Sequence, residues 1–113
     1  MPTYADVRKL LRCVSRPHVL AEKPLAATIC AATGIDDPVT ALIALVDAAF
    51  NLATPYGRRL RESIVRCDVD GASTQEAADA MCLSPRQFFR YRADAMAAIG
   101  YAVARLTSTT RVA

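Results

Sequence analysis

The sequence predicts an all-α protein of five to six helices, the last of them long. Alanine accounts for 22 of the 113 residues, and alanine has the highest helix propensity while it is depleted in sheets. No segment shows the alternation of apolar and polar residues that is typical of a half-buried strand. A hydrophobic fraction of 53% can build a packed core, and the length allows one domain or two very small units that share a core.

Proline and glycine divide the first half of the chain into helical segments. The apolar spacing predicts helices over 4–14, 25–33 and 38–53, with a short turn or helix over 17–21. Gly34 stands where a left-handed residue commonly ends a helix, and Asp37 followed by Pro38 is a typical helix start. Because Asp47 is the only charged residue within 38–53, we expect that helix to lie at the centre of the core.

A further helix is predicted over 56–69, because Thr54 and Pro55 repeat the signal of a cap followed by proline. Its inner face is expected to consist of Leu60, Ile64 and Val65, with Cys67 or Val69. Its arginines, Arg58, Arg59, Arg61 and Arg66, are then expected to face outward. Asp70 and Gly71 form the turn that follows.

Two capping boxes mark the helices of the last third. In Ser73-x-x-Glu76 and again in Ser84-x-x-Gln87, the hydroxyl accepts from the amide three residues on and the second side chain reaches back. They predict a short helix over 74–81 and a long helix that begins at Pro85. The long helix would carry on its inner side Phe88, Tyr91, Ala95, Ile99, Ala102, Val103 and Leu106.

Two helices joined by a short turn, the second capped by serine, form the arrangement of a helix-turn-helix, so that residues 57–113 are expected to hold a tri-helical unit. Such a unit needs small residues where its helices cross, which Ala77 and Ala78 supply. It also needs apolar residues, found here at Met81, Leu83, Phe88 and Tyr91. The outward side of the second helix then carries Arg86, Gln87, Phe89 and Arg90. These side chains suit base edges, thymine methyls and phosphates, and the amides beside Ser84 attract a phosphate.

Residues 57–106 resemble the helix-turn-helix of sigma-70 region 4 and of sigma-like bacterial regulators. The matching residues are Gln75-Glu76-Ala77-Ala78, Leu83-Ser84 at the exit of the turn, Arg86, and Asp94-Ala95-Met96. The segment GRRLRESIVRCDVDGAST looks like the helix and loop that lead into this module in the family. The resemblance implies that 85–90 enters the major groove, with Arg86, Gln87 and Arg90 on the bases. It also implies phosphate contacts from Arg58, Arg59, Arg92 and Ser73.

Two residues depart from the family pattern. The family usually has glycine in the turn, where φ is positive, whereas this chain has Cys82. A side chain in that conformation costs about 1 kcal/mol, so either the turn differs or Cys82 packs inward. The second departure is a pair of aromatic residues where one is expected. If Phe88 is in the core, Phe89 is exposed, which favours contact with DNA methyls or with a protein.

The charge distribution favours a nucleic-acid partner for the second half. Residues 57–113 carry nine basic and six acidic side chains, whereas residues 1–56 carry five of each. Of the 14 basic residues, 12 are arginine, which forks well onto phosphates and guanine edges, although a GC-rich coding sequence gives the same bias. We therefore expect a cytoplasmic bacterial transcription regulator whose residues 57–113 bind specific sequences of double-stranded DNA.

Other roles stay open at this point. A helix-turn-helix can also bind proteins, so the alternative is an activator or antiterminator of the phage-like type that contacts RNA polymerase or another regulator. Residues 1–56 form a helical region that either completes the core or provides an interface for a homodimer or a partner.

Several classes of function are not expected. The chain has no glycine-rich phosphate loop, no GxSxG and no HExxH, so we expect neither an enzyme nor a cofactor. The four cysteines form no CxxC pair and there is one histidine, so no metal site is expected and the thiols are predicted to be reduced and mostly buried. The longest uncharged stretch, 24–35, is too short to span a membrane.

Overall fold

The computed structural model describes the backbone of residues 2–112 and the side chains of residues 2–108. It contains seven α-helices and one five-residue π-helical segment, and no strand occurs within the described part. The helices are α1 (Tyr4–Leu11), α2 (Pro17–Ala21), α3 (Pro24–Thr33), α4 (Pro38–Ala48), α5 (Pro55–Ile64), α6 (Thr74–Ala80) and α7 (Pro85–Val112). The π segment, Val65–Val69, continues directly from α5. The all-α prediction is confirmed, with more helices than the five to six expected.

Local sequence signals account for most helix ends. Gly34 has a φ of 73° and its N–H donates to the carbonyl of Cys30, as expected for a left-handed helix end. The carboxylate of Asp37 accepts from the N–H of Thr40, so the predicted cap of α4 forms. However, α4 ends at Ala48, before the predicted residue 53. Asn51 explains the early end, because its side chain accepts from the N–H of Ala53 and so favours a turn over a helix.

The central element of the fold is α7. It packs against α1, α3, α4, α5 and α6, and its inner side contributes the buried residues Phe88, Ala95, Ile99 and Val103. The expectation that α4 lies at the centre is only partly met, because α4 buries Leu42 and Leu45 but leaves Ile43 40% exposed.

Residues from both halves of the chain form the main core. Buried residues of α1, α3 and α4 pack with Leu60 and Ile64 of α5 and with Ala95, Ile99 and Val103 of α7. A second, smaller cluster lies between α6 and the beginning of α7. The N-terminal region therefore completes a core that it shares with α5 and α7.

Candidate nucleic-acid interface

The second cluster has the packing that the helix-turn-helix prediction requires. Ala77, Ala78, Met81 and Phe88 are buried against one another, and Leu83 covers the cluster from the turn. The two alanines let α7 cross close to α6, and Phe88 fills the space between them. The first turn of α7 is therefore held by a buried anchor on its inner side.

Both predicted capping boxes form. The Ser73 hydroxyl accepts from the N–H of Glu76 at 3.1 Å, and the Glu76 carboxylate accepts from the N–H of Ser73 at 3.1 Å. The same exchange joins Ser84 and Gln87 at 3.3 and 3.2 Å. The backbone hydrogen bond from Ser73 lowers the pKa of Glu76. Ser73 and Ser84 therefore cap the N-termini of α6 and α7, and the side-chain carbonyl of Gln87 takes part in the second cap. The side-chain NH₂ of Gln87 is left as a donor for a DNA base.

The turn between the helices adopts the left-handed conformation that the family pattern places there. Cys82 has a φ of 56°, and within residues 2–112 it is the one non-glycine residue with positive φ. The N–H of Leu83 then reaches back to the carbonyl of Ala78 at 2.9 Å and closes α6. Cys82 is exposed, so the alternative that it packs inward is wrong.

The outer side of α7 presents a compact exposed group. Arg86, Phe89 and Arg90 occupy positions i, i+3 and i+4, and all three are exposed. Phe89 is 59% exposed and Phe88 is buried, as predicted for these two neighbouring rings. Among the described residues, no acidic side chain forms an ion pair with Arg86 or Arg90. We call Arg86, Phe89 and Arg90 the recognition face.

Arg92 requires a correction. Its guanidinium binds both carboxylate oxygens of Asp68, at 3.0 and 2.7 Å, and its side chain is only 12% exposed. The Nε of Arg8 and the hydroxyl of Tyr4 also donate to this carboxylate, which is fully buried. Burial acts to lower the pKa of Arg92, but the hydrogen bonds and charge of Asp68 outweigh it and the pKa is raised. Arg92 therefore joins α7 to the π segment and α1 and is not placed for phosphate.

The π segment explains why Asp68 was missed. A π turn contains one more residue than an α turn, so the side chains after Ile64 are rotated relative to a regular helix. As a result Asp68 points inward, Cys67 is half-buried and Val69 is 38% exposed. The expectation of an apolar inner face at Cys67 or Val69 is met only in part. A buried carboxylate directly before an exposed valine has no signal in a 3.6-residue period.

The two arginines at the start of α5 lie in different environments. Arg59 is half-buried: its Nη2 donates to the carbonyl of Met81, and its guanidinium lies 5.8 Å from the ring centroid of Tyr91. It therefore fastens α5 to the helix-turn-helix, which corrects the predicted phosphate contact. Arg58 is exposed, and its Nη1 donates to the carbonyl of Leu52 at 3.0 Å, so a surface role for it stays a prediction.

The structure also brings unpredicted arginines to the helix-turn-helix. A cleft of about 770 Å³ has a lining that includes Arg8, Arg12 and Arg16, Ser73 and Thr74, Phe89, and the pair of Asp68 and Arg92. We call it the basic cleft. Arg12 ends α1 and Arg16 precedes α2, and both are exposed. The spacing of four between these arginines was a usable signal, but nothing in it says which part of the fold they face.

Comparisons with known proteins add no assignment. No family model, curated protein or solved structure matches the chain. The function must therefore be argued from the site alone.

The remaining chemistry of the described residues is sparse. Within residues 2–112 no three His, Cys, Asp or Glu side chains are grouped so that they could hold a metal ion. All four cysteines are free thiols; Cys13 is buried, Cys30 and Cys67 are half-buried and Cys82 is exposed, so fewer are buried than expected. No single helix in this part of the chain is long and apolar enough to cross a membrane. Only α3 and α4 taken together have the length and composition, and they are bent by 69°.

Proposed function

We propose that this chain is a bacterial transcription regulator that binds specific sequences of duplex DNA by inserting the beginning of α7 into the major groove. The observation that carries the proposal is the recognition face. Among the described residues, Arg86 and Arg90 form no ion pair, and together with an exposed aromatic ring they lie on a helix start whose inner side is anchored by Phe88. A ring beside two exposed guanidinium groups combines the apolar surface and the hydrogen-bond donors that bind base edges and phosphates.

The chemistry of the recognition face suits base edges. The forked guanidinium of Arg86 or Arg90 can bind O6 and N7 of guanine together, and the ring of Phe89 can pack on a thymine methyl. The free NH₂ of Gln87 is a donor to an acceptor such as adenine N7. Since these side chains belong to the first two turns of α7, they can reach the groove floor without unfolding the helix.

The test measures binding of the protein to a labelled random 30-bp duplex and then selects preferred sequences from a random pool. We expect binding at ~50 mM salt and an enriched motif. Arg86→Ala/Arg90→Ala should weaken binding to that motif by at least roughly 30-fold, because the two lost contacts contribute about 1–3 kcal/mol each. Lys9→Ala/Lys23→Ala removes the same charge from another surface and should retain the motif affinity.

Two results would contradict the proposal. Absence of duplex binding at ~50 mM salt would refute a DNA-binding role altogether. Equal affinity of the arginine double variant and the lysine double variant would place the sequence-reading contact elsewhere.

One observation favours a second candidate, an activator or antiterminator that docks on RNA polymerase. Phe89 is the exposed centre of the recognition face, and aromatic residues are enriched at the centres of protein interfaces. If this role is correct, RNA polymerase should capture the wild-type protein in a pull-down and capture Phe89→Ala poorly. Equal capture of both proteins would count against Phe89 as the contact.

A further inference from the structure

The basic cleft lies beside the recognition face and shares a residue with it. Phe89 belongs to both, since its ring lines the cleft while its neighbours Arg86 and Arg90 point to the same exposed side of α7. Another part of the lining comes from α1 and the loop that follows it. A ligand long enough to extend past Phe89 therefore meets side chains of the N-terminal region.

The arginines of the cleft differ in whether a carboxylate neutralises their charge. Arg8 and Arg92 both pair with Asp68, the one acidic residue of the lining, and its side chain is fully buried. Arg12 and Arg16 are exposed, and among the described residues neither forms an ion pair. The lining of the cleft thus includes two guanidinium groups whose charge is not neutralised by a carboxylate of the described residues.

Arg12 and Arg16 are also held in place by the backbone. The N–H of Arg12 donates to the carbonyl of Arg8 at 3.1 Å, and the N–H of Arg16 donates to that of Cys13 at 2.9 Å, so the chain between them forms tight turns. Cys13 is buried in the main core and fixes this turn from inside. The two guanidinium groups therefore project from an ordered wall and not from a loose tail.

We infer that Arg12 and Arg16 bind backbone phosphates of the same duplex that the recognition face reads. This inference rests on the proposed function. Phosphates border both sides of the major groove that would receive α7, and arginine forks onto phosphate oxygens. The N-terminal region then has a second role besides completing the core: it extends the DNA-binding surface and positions the duplex without reading its sequence.

The experiment measures how the affinity for the labelled random 30-bp duplex falls with salt. Each phosphate contact contributes about 0.9 to the slope of log affinity against log salt, so Arg12→Ala/Arg16→Ala should make the slope shallower by about 1.8. Across a fourfold rise in salt, the wild-type protein should therefore lose about 12-fold more affinity than this variant. Arg12→Lys/Arg16→Lys keeps the charges and should restore most of the slope.

Controls separate this inference from the proposed function. Lys9→Ala/Lys23→Ala removes the same net charge and should leave the slope close to that of the wild type. Arg12→Ala/Arg16→Ala should enrich the same motif from a random pool as the wild type, whereas Arg86→Ala/Arg90→Ala should lose it. Thermal unfolding by circular dichroism checks that each variant folds.

Three outcomes would overturn the inference. If the wild type binds duplex and Arg12→Ala/Arg16→Ala keeps its slope, the inference fails while the proposed function stands. If the wild type binds no duplex, both fail. If sodium tripolyphosphate raises the Tm of the wild type but not of this variant, and the duplex slope is unchanged, the cleft takes a free polyphosphate instead.

Discussion

Replacing Asp68 with asparagine tests whether the buried ion pair holds the helix-turn-helix to the N-terminal region. The carboxylate is fully buried and lies 2.7 Å from Nη2 of Arg92, whose side chain is 12% exposed. Asp68→Asn keeps the shape of the side chain and removes its charge, so the guanidinium of Arg92 stays buried without a counter-charge. Removing one partner of a buried pair costs about 3–5 kcal/mol. Since asparagine can still accept one hydrogen bond, we expect the lower end, about 3 kcal/mol.

That loss is large for a domain of this size. Small domains have unfolding free energies of roughly 5–15 kcal/mol, so a change of this size removes a substantial part of the total. At roughly 4 °C per kcal/mol, the Tm should fall by about 12 °C. Urea unfolding followed by circular dichroism at 222 nm gives the free energy, and a thermal scan gives the Tm. Asp70→Asn is the matched control, because Asp70 is exposed on the same turn and pairs with no basic side chain among the described residues.

A double variant identifies the physical cause. Asp68→Asn/Arg92→Met also removes the buried positive charge of Arg92, which asparagine leaves without a counter-charge. Methionine fills much of the same volume, so part of the lost stability should return. An unfolding free energy of Asp68→Asn within about 0.5 kcal/mol of the wild type, the size that surface substitutions produce, would refute a stabilising role of the buried pair. A double variant less stable than Asp68→Asn alone would show that the unpaired charge of Arg92 is not the cause of the loss.

Three further substitutions test other parts of the structure. Gly57→Ala should destabilise the protein by about 3 kcal/mol in urea unfolding, because a Cβ there would lie 1.9 Å from the carbonyl oxygen of Asn51; unchanged stability would mean that this close approach relaxes freely. Cys82→Gly should stabilise it by about 1 kcal/mol, since glycine tolerates the φ of 56°, whereas Cys82→Ala should change little. Glu76→Gln should remove a pH-dependent part of the stability: the pKa of Glu76 is lowered below its ordinary 4.5 by the backbone hydrogen bond from Ser73, so its contribution is complete above pH 4.5 and is lost as the pH falls through the lowered value. Urea unfolding at descending pH should therefore show the wild type approaching the variant, and a constant difference would contradict this.

Short-range signals in the sequence were sufficient for the helix starts and for the helix-turn-helix, but not for the early end of α4 or for the π segment. The caps at Asp37, Ser73 and Ser84 act through hydrogen bonds between residues three positions apart, so the local sequence is enough to predict them. The burial of Phe88 and the exposure of Phe89 are also set locally, because adjacent residues on a helix point in different directions.

The details of the candidate site depended on contacts that are distant in the chain. Nothing in the sequence around Arg59 and Arg92 sets them apart from Arg86 and Arg90. In the structure, however, Arg59 binds the carbonyl of Met81 and Arg92 binds Asp68, so these two arginines connect elements of the fold. No local pattern distinguishes these four arginines, because what separates them is the presence of an acceptor from another helix.

The amino-acid sequence by itself determined the all-α class and the capped helix starts, since both follow from interactions within about one helical turn. Only the tertiary structure decided that Asp68 is buried and that Arg12 and Arg16 stand beside the helix-turn-helix. The physical reason is the range of the contacts: the hydroxyl of Tyr4 and the guanidinium of Arg92 meet at 2.7 Å although 88 positions separate them in the chain. Such a contact exists only after the main core has packed α1 against α7.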